Sequence, residues 1–162
     1  MRITHVKIEN YRNIKSVDVD LGNTVVIAGE NNSGKSNFLR AITLPFLAEE
    51  GGYSGKTLTW TDINAGARDA YYSFLLANKE SILSGKLGVD EFSKSLPSVC
   101  VEVQILPEAK EKYYVKDISS SISGTDIEYR IRYEFKPKKV LEILTLVKDV
   151  LTSENIDENS IN

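Results

Sequence analysis

Cysteine, histidine, methionine and tryptophan each occur once in the 162 residues, and proline only four times. One cysteine, Cys100, excludes an internal disulfide and suits a reducing cytosol. Cys100 also lacks a histidine partner pattern, which argues against nucleophilic thiol catalysis. The lone histidine, His5, has no ligand-spaced cluster of Cys, Asp or Glu around it. It reads as a structural or exposed side chain rather than a metal ligand or acid–base group. No apolar run approaches the ~18–20 residues that a membrane-crossing helix needs. The opening MRITHVKIENYRN lacks the apolar core of a secretory signal. The expectation is a cytoplasmic protein with no membrane partner. Excess positive charge is lacking too: the formal net charge is −3. Domains that grip DNA through their own phosphate contacts are usually basic. A nucleic-acid contact would therefore be local, or made by another part of a larger protein. Internal repeats and low-complexity segments are absent as well.

The chain has the size and composition of one globular domain with a core. Arg2–Glu9 has a short extended pattern in Ile3, Val6 and Ile8, and Tyr11-Arg12-Asn13 reads as a turn. Val17, Val19 and Leu21 alternate with Asp18 and Asp20, as in a half-buried strand. Gly22-Asn23 is a break of the kind that closes a hairpin or tight loop. Thr24–Ala28 (TVVIA) is continuously apolar and β-branched, which predicts a strand buried on both faces. A helix should follow, with Phe38 and Ile42 one turn apart, ending by Pro45 or at Gly51-Gly52. Thr61 or Asp62 is a plausible cap for a helix through Leu76, and Asp90 for a shorter one before Pro97. Val99–Leu106 and Ile127–Phe135 alternate strictly with period two, one face apolar and one charged, as in an antiparallel sheet. Residues 107–126 hold a third strand or a loop. Val140, Leu144, Val147 and Leu151 recur at helical spacing, for packing on the domain's own sheet or on a partner helix. Arg130, Arg132, Lys136, Lys138 and Lys139 are either a solvated face interleaved with Glu128 and Glu134 or a phosphate contact.

The segment Gly29-Glu30-Asn31-Asn32-Ser33-Gly34-Lys35-Ser36 fits G-x-x-x-x-G-K-[ST] at every fixed position. Each residue type has a physical reason. Gly29 permits a sharp exit from the preceding strand. Gly34 lets backbone N–H groups approach phosphates with no Cβ in the way. The loop amides, including those of Asn32 and Ser33, form an anion-binding nest. The helix starting near Lys35 aims its positive dipole end at the same anion. Lys35 is placed to neutralise the β- and γ-phosphates, Ser36 offers a hydroxyl to Mg²⁺, and the Asn37 amide faces the α-phosphate. The expected ligands are ATP and Mg²⁺.

The opening MRITHVKIENYRNIKSVDVDLGNTVVIAGENNSGKSNFLRAI resembles the N-terminus of SMC/RecF-type ABC ATPases. In that group a hairpin with an N-[FY]-R turn precedes the P-loop, and Asn10-Tyr11-Arg12-Asn13 stands at that place here. Within the group, GENNSGKSNFLRAI looks most like OLD-type proteins, which couple an ABC ATPase head to a Toprim nuclease and often act in antiphage defence. The close resemblance covers about the first quarter of the chain. It implies that Arg12 lies near the nucleotide phosphates. Gln104 is a Q-loop glutamine or an exposed strand residue.

Nothing after Ser36 reads as a Walker B strand, an LSGGQ-like signature or a Toprim acidic cluster. Leu83-Ser84-Gly85-Lys86 shares three letters with the signature but reads as a glycine helix stop. The expected fold is therefore α/β: a P-loop NTPase, the N-terminal lobe of an ABC-ATPase head, with an antiparallel β-subdomain and helical segments. Residues 1–152 would form that lobe, with 153–162 a polar tail continuing into a downstream part. No catalytic residue is expected within these residues. The expected whole is an ATPase, with ATP-dependent endonuclease activity, that dimerises or oligomerises through its heads, acts on DNA and has room for a second subunit. Two other readings stay open: a DNA-repair or chromosome-structural ATPase without nuclease activity, and a P-loop interaction module.

Overall fold

The computed structural model describes residues 1–31, 33–46, 58–115, 119–123 and 126–153. Gly51-Gly52 and the tail from Glu154 lie outside the described residues. The chain divides into two compact units, Met1–Asn64 with Val99–Phe135, and Ala65–Ser98 with Lys136 onward.

The first unit is built on a five-stranded sheet in the order β2-β1-β3-β5-β4. The strands are β1 (Arg2–Tyr11), β2 (Ile14–Asp20), β3 (Val99–Leu106), β4 (Ser119–Ser123) and β5 (Asp126–Phe135), and every neighbouring pair is antiparallel. The period-two pattern sets the register. Val19, Val6, Val103 and Ile131 lie in one row, and Val17, Ile8, Val101 and Tyr133 in the next. The opposite face carries charge in matching rows, with Lys7 beside Asp18 and Glu102, and Glu102 beside Arg132. Opposite charges facing each other across strands support the same register. Ile3 and Val6 are three apart, which would put them on opposite faces of a regular strand. A register shift between Ile3 and His5 restores the phase, so Ile3 pairs with Ile105 and Val6 with Val103.

The apolar face is covered by helix α1 (Lys35–Thr43) and the 3₁₀ turn Leu44–Phe46 that follows it. Ala41 is fully buried there, as are Val6, Ile8, Val99, Val101 and Val103 in the strands below. The helix gives way to the turn just before Pro45, as the sequence predicts. A short helix, α5 (Lys112–Val115), and strand β4 occupy the stretch between β3 and β5.

One strand expectation fails. Thr24–Ala28 forms no strand, and Val25, Val26 and Ile27 are exposed, Val26 at 85%. A β-branched run favours the pleated surface only where neighbours cover it and pair its backbone. Among the described residues, the sheet edges are β2 and β4, and this segment joins neither. The turn read at Tyr11-Arg12-Asn13 joins β1 to β2, and Gly22-Asn23 breaks the chain after β2 without closing a hairpin.

The second unit is helical: α2 (Ala65–Ala77), α3 (Lys79–Leu83), α4 (Val89–Ser95) and α6 (Val140–Thr152). Tyr71, Leu75, Ile82, Leu87 and Phe92 form its core. Val140, Ile143, Leu144, Val147 and Leu151 of α6 pack against that cluster. The α6 stripe thus serves a helical core and not the sheet, because 3.6-residue periodicity marks a buried face without naming what buries it. Thr61 and Asp62 fall in a 3₁₀ turn capped by Thr59, and α4 starts at Val89 rather than after Asp90. Gly85, at φ +70°, ends α3 and donates its N–H to the Ile82 carbonyl at 3.1 Å.

Phe92 is fully buried at the centre of this cluster, with its ring edge-on to Tyr71 at 6.3 Å. Phe92→Ala is expected to destabilise the helical unit by about 3–5 kcal/mol. Urea unfolding followed by far-ultraviolet circular dichroism would check this; an unchanged midpoint would show that Phe92 is not a core anchor.

Candidate functional site

The site forms where β1 ends, where the loop after Ile27 closes, and where α1 begins. Gly34 precedes the helix with φ +103° and ψ 5°, a conformation open to glycine and costly for other residues. Space imposes the same choice. A Cβ on Gly34 would lie 2.6 Å from Asn13 Nδ2 and 2.9 Å from Asn13 Oδ1. A Cβ on Gly29 would lie 2.6 Å from Ser33 Oγ, so the loop closes tightly over that glycine. The Ser33 N–H donates to the Glu30 carbonyl at 3.2 Å, and the Phe38 N–H to the Gly34 carbonyl at 2.8 Å. The second bond starts the helix and leaves the N–H groups of its first turn without helical acceptors.

Lys35 turns back over the loop. Its Nζ donates to the carbonyls of Gly29 at 2.7 Å and Glu30 at 2.6 Å. Asn31, Gly34, Lys35, Ser36 and Asn37 line an open cavity of about 540 Å³. That size lies within the range of small-molecule sites. The lining holds an ammonium, a hydroxyl, amides and the amino end of a helix, with no carboxylate among them, and such a donor set favours an anion. Gly29, Ser33, Gly34, Lys35, Ser36 and Asn37 are thus brought together. Asn32 lies outside the described residues.

Arg12 reaches this cradle through Asn37, its Nη1 standing 3.3 Å from Asn37 Oδ1. Asn37 Nδ2 in turn donates to Asn13 Oδ1 at 2.8 Å. On its other side Arg12 grips Asp62: Nε and Nη2 each lie 2.8 Å from Oδ1. The second oxygen, Oδ2, accepts the Thr59 N–H at 3.0 Å and the Thr59 hydroxyl at 3.1 Å. The Arg12 guanidinium also stands 5.4 Å from the centre of the Tyr11 ring. Partial burial pushes the Asp62 pKa up. The amide and hydroxyl of Thr59 and the Arg12 cation outweigh it, so the carboxyl ends below its ordinary 3.8.

Asn13, Thr59, Asp62 and Asn64 were not legible as site residues in the sequence. Asp62 carries a helix-cap signal, and its use as an arginine partner required contact across 50 positions. Gln104 pairs with His5 near the far end of β1, roughly 20 Å or more along the strand from Arg12. It belongs to the sheet and not to the cradle. Cys100 is buried, and burial pushes its thiol pKa up, against a reactive thiolate. His5 bridges Asp18 and Asp20 on β2 at 3.0 and 2.8 Å. Among the described residues no group of His, Cys, Asp or Glu could hold a metal ion, and no helix is long and apolar enough to cross a membrane. In the basic group, Arg130 pairs with Glu102 and Arg132 with Glu134, as in a solvated face.

Compared with known proteins, residues 1–162 match the family model for an AAA ATPase domain over their full length. The chain belongs to that AAA ATPase domain family. Its fold is therefore that of a P-loop NTPase, and family membership implies nucleotide binding. Curated relatives include the DNA replication and repair protein RecF of Rickettsia typhi, 36% identical over 89 residues, which are 54% of this chain and 22% of that protein. RecF of Rickettsia prowazekii is 38% identical over 87 residues, 53% of this chain and 21% of that protein. The match thus spans about a fifth of these relatives' length. The two comparisons together support an SMC/RecF-type ATPase. No solved structure matches.

Two outcomes follow from the geometry. Gly34→Ala should cost about 1–3 kcal/mol of stability through its positive φ. Adding Asn13→Ala should relieve the contact but not the backbone cost, as urea melts of both variants would record. Asp62 has a depressed folded-state pKa, so its stabilisation is present above its ordinary 3.8 and is lost as pH falls through the lower folded value. Melting temperatures from pH 6 to 2.5 should therefore show wild type above Asp62→Asn near neutrality, with the gap closing below about pH 4. A gap that stays constant with pH would count against that linkage.

Proposed function

We propose that this domain binds Mg·ATP as the N-terminal part of an SMC/RecF-type ATPase that acts on DNA from the cytoplasm. The observation that carries the reading is the cradle itself. Gly34 lies at a backbone angle and a packing distance that a side chain would spoil, with Lys35 and the first turn of α1 beside it. In this reading the loop amides with Lys35 hold the phosphates and Ser36 holds the metal. Arg12 lies near the phosphates on the Asn37 side. The metal would supply charge neutralisation on the phosphate oxygens.

The domain is completed, in this reading, by a second lobe lying downstream or in another polypeptide. The exposed run Val25-Val26-Ile27 supports that, since β-branched residues next to a P-loop fit a sheet that other strands cover. The acid that activates water would come from that lobe, and a signature loop from a second head, so ATP would promote head dimerisation.

The nature of the DNA-acting whole is the finer question. GENNSGKSNFLRAI supports an OLD-type ATPase with a Toprim nuclease in antiphage defence. The RecF matches favour a second reading, a DNA-repair ATPase without a nuclease. Magnesium-dependent cleavage of plasmid DNA by the whole protein would decide for the first; ATP-dependent DNA binding without cleavage would decide for the second.

Lys35→Ala should weaken Mg·ATP binding by roughly 10–100-fold, the loss of a charged hydrogen bond to phosphate. Titration with a fluorescent ATP analogue measures this, and wild-type affinity in the variant would overturn the phosphate reading. Residues 1–162 alone should show negligible turnover. A steady ATPase rate abolished by Lys35→Ala would place the catalytic acid within them.

A further inference from the structure

Arg12 sits at φ +52° and Asn10 at φ +57°, on either side of Tyr11. A left-handed backbone at a long side chain such as arginine costs of order 1–3 kcal/mol and persists only where the surroundings over-determine it. The surroundings here are the residues Asp62–Asn64. The Arg12 N–H donates to the Asp62 carbonyl at 2.7 Å, and the Asn64 N–H to the Asn10 carbonyl at 2.9 Å. Asn64 Nδ2 donates to the Arg12 carbonyl at 2.6 Å, and Tyr11 bridges Ile63 in antiparallel fashion. The backbone of the turn is thereby clamped on both sides by a segment some 50 residues away in the chain.

The side chain is clamped by the same segment. A guanidinium has five N–H groups in a rigid fork. Nε and Nη2 face Asp62 Oδ1, and Nη1 faces Asn37 in the cavity lining. One N–H on each terminal nitrogen has no partner among the described residues. The Asp62 carboxylate is itself fixed, with its other oxygen taken by Thr59 and its side chain only 15% exposed. An arginine whose plane is set by a half-buried carboxylate with both oxygens hydrogen-bonded keeps its remaining donors in one direction, where a free side chain would have to lose rotamer entropy first.

We infer that Asp62 is a positioning residue of the nucleotide site: it holds the Arg12 fork beside Asn37 so that the remaining guanidinium N–H groups meet the bound polyphosphate. This rests on the reading of the cradle as a phosphate site. Asp62 touches no phosphate itself. The strained turn at Arg12 and the clamp by Asp62–Asn64 are then parts of one device, which makes an arginine supplied by the β1–β2 turn a fixed cation at the start of α1.

The test uses the protein that carries this domain and Mg²⁺ with a fluorescent ATP analogue. Asp62→Asn retains an acceptor for Thr59 and removes the charge that orients Arg12. It should weaken binding about tenfold, as Arg12→Gln should, and the double variant should be no weaker than either single one. Both single variants should also flatten the salt dependence of binding, since Arg12→Gln deletes the cation and Asp62→Asn releases it from its place beside the phosphates. Asp62→Glu should restore part of the affinity, whereas Arg12→Lys, which lacks the fork, should not. Wild-type affinity in Asp62→Asn would overturn the inference. So would losses that add in the double variant, or a salt dependence unchanged in Asp62→Asn while Arg12→Gln flattens it, because a merely structural Asp62 would behave that way. Lys35→Ala separates the two levels: full binding in that variant removes the phosphate site itself, whereas loss there with full binding in Asp62→Asn removes only the role of Asp62.

Discussion

The ion pair between Arg12 and Asp62 ties together parts of the first unit that the chain order keeps far apart. One partner stands on the hairpin turn at the end of β1, and the other on the turn that precedes α2. From Arg12 the contacts continue to Asn37, from Asn37 to Asn13, and from Asn13 to the space beneath Gly34. A displacement of the turn would therefore be felt at the glycine that opens α1. Such a chain of hydrogen bonds polarises its members and is costly to satisfy only in part. Tight packing at Gly34, where an amide group occupies the room a methyl would need, makes the coupling steric as well as electrostatic.

The sheet supplies the rigid base for this arrangement. Its apolar rows run unbroken from β2 through β1 and β3 to β5, and α1 lies on them through Ala41. Burying a Val or Ile side chain contributes roughly 1.5–3 kcal/mol. The rows across β1 and β3 are thus the strongest reason for α1 to keep its place. The amino end of α1 then projects past the end of β1, where the turn Arg12-Asn13 meets it. On the opposite face the row Asp18, Lys7, Glu102 and Arg132 alternates in sign and adds register more than stability, as exposed ion pairs do.

Several elements were legible because one local rule governs them. Strands β3 and β5 follow period two with charge on one side, and both form where the pattern puts them, β5 beginning one residue earlier. The helix after the P-loop motif and its end at Pro45 follow from covalent limits on the backbone. Other elements follow from what surrounds them. Thr24–Ala28 has the composition of a buried strand, yet composition only states that a covered surface would suit it. The α6 stripe states that one face is buried and leaves the neighbour open. Ile3 is out of phase with Val6 in a regular strand, and only the register shift beside it puts the two on one face.

The sequence by itself determined the loop that lines the cavity: Gly29, Gly34, Lys35 and Ser36 fall within eight consecutive residues, so their proximity needs no distant contact. It likewise determined the alternation of the long strands and the stop at Gly85. Only the tertiary structure decided that Asn13 lies under Gly34, that Asp62 holds Arg12, and that α6 belongs to a helical core. Those facts depend on residues brought together across tens of positions, and no local periodicity or propensity encodes the partner at the other end of such a contact.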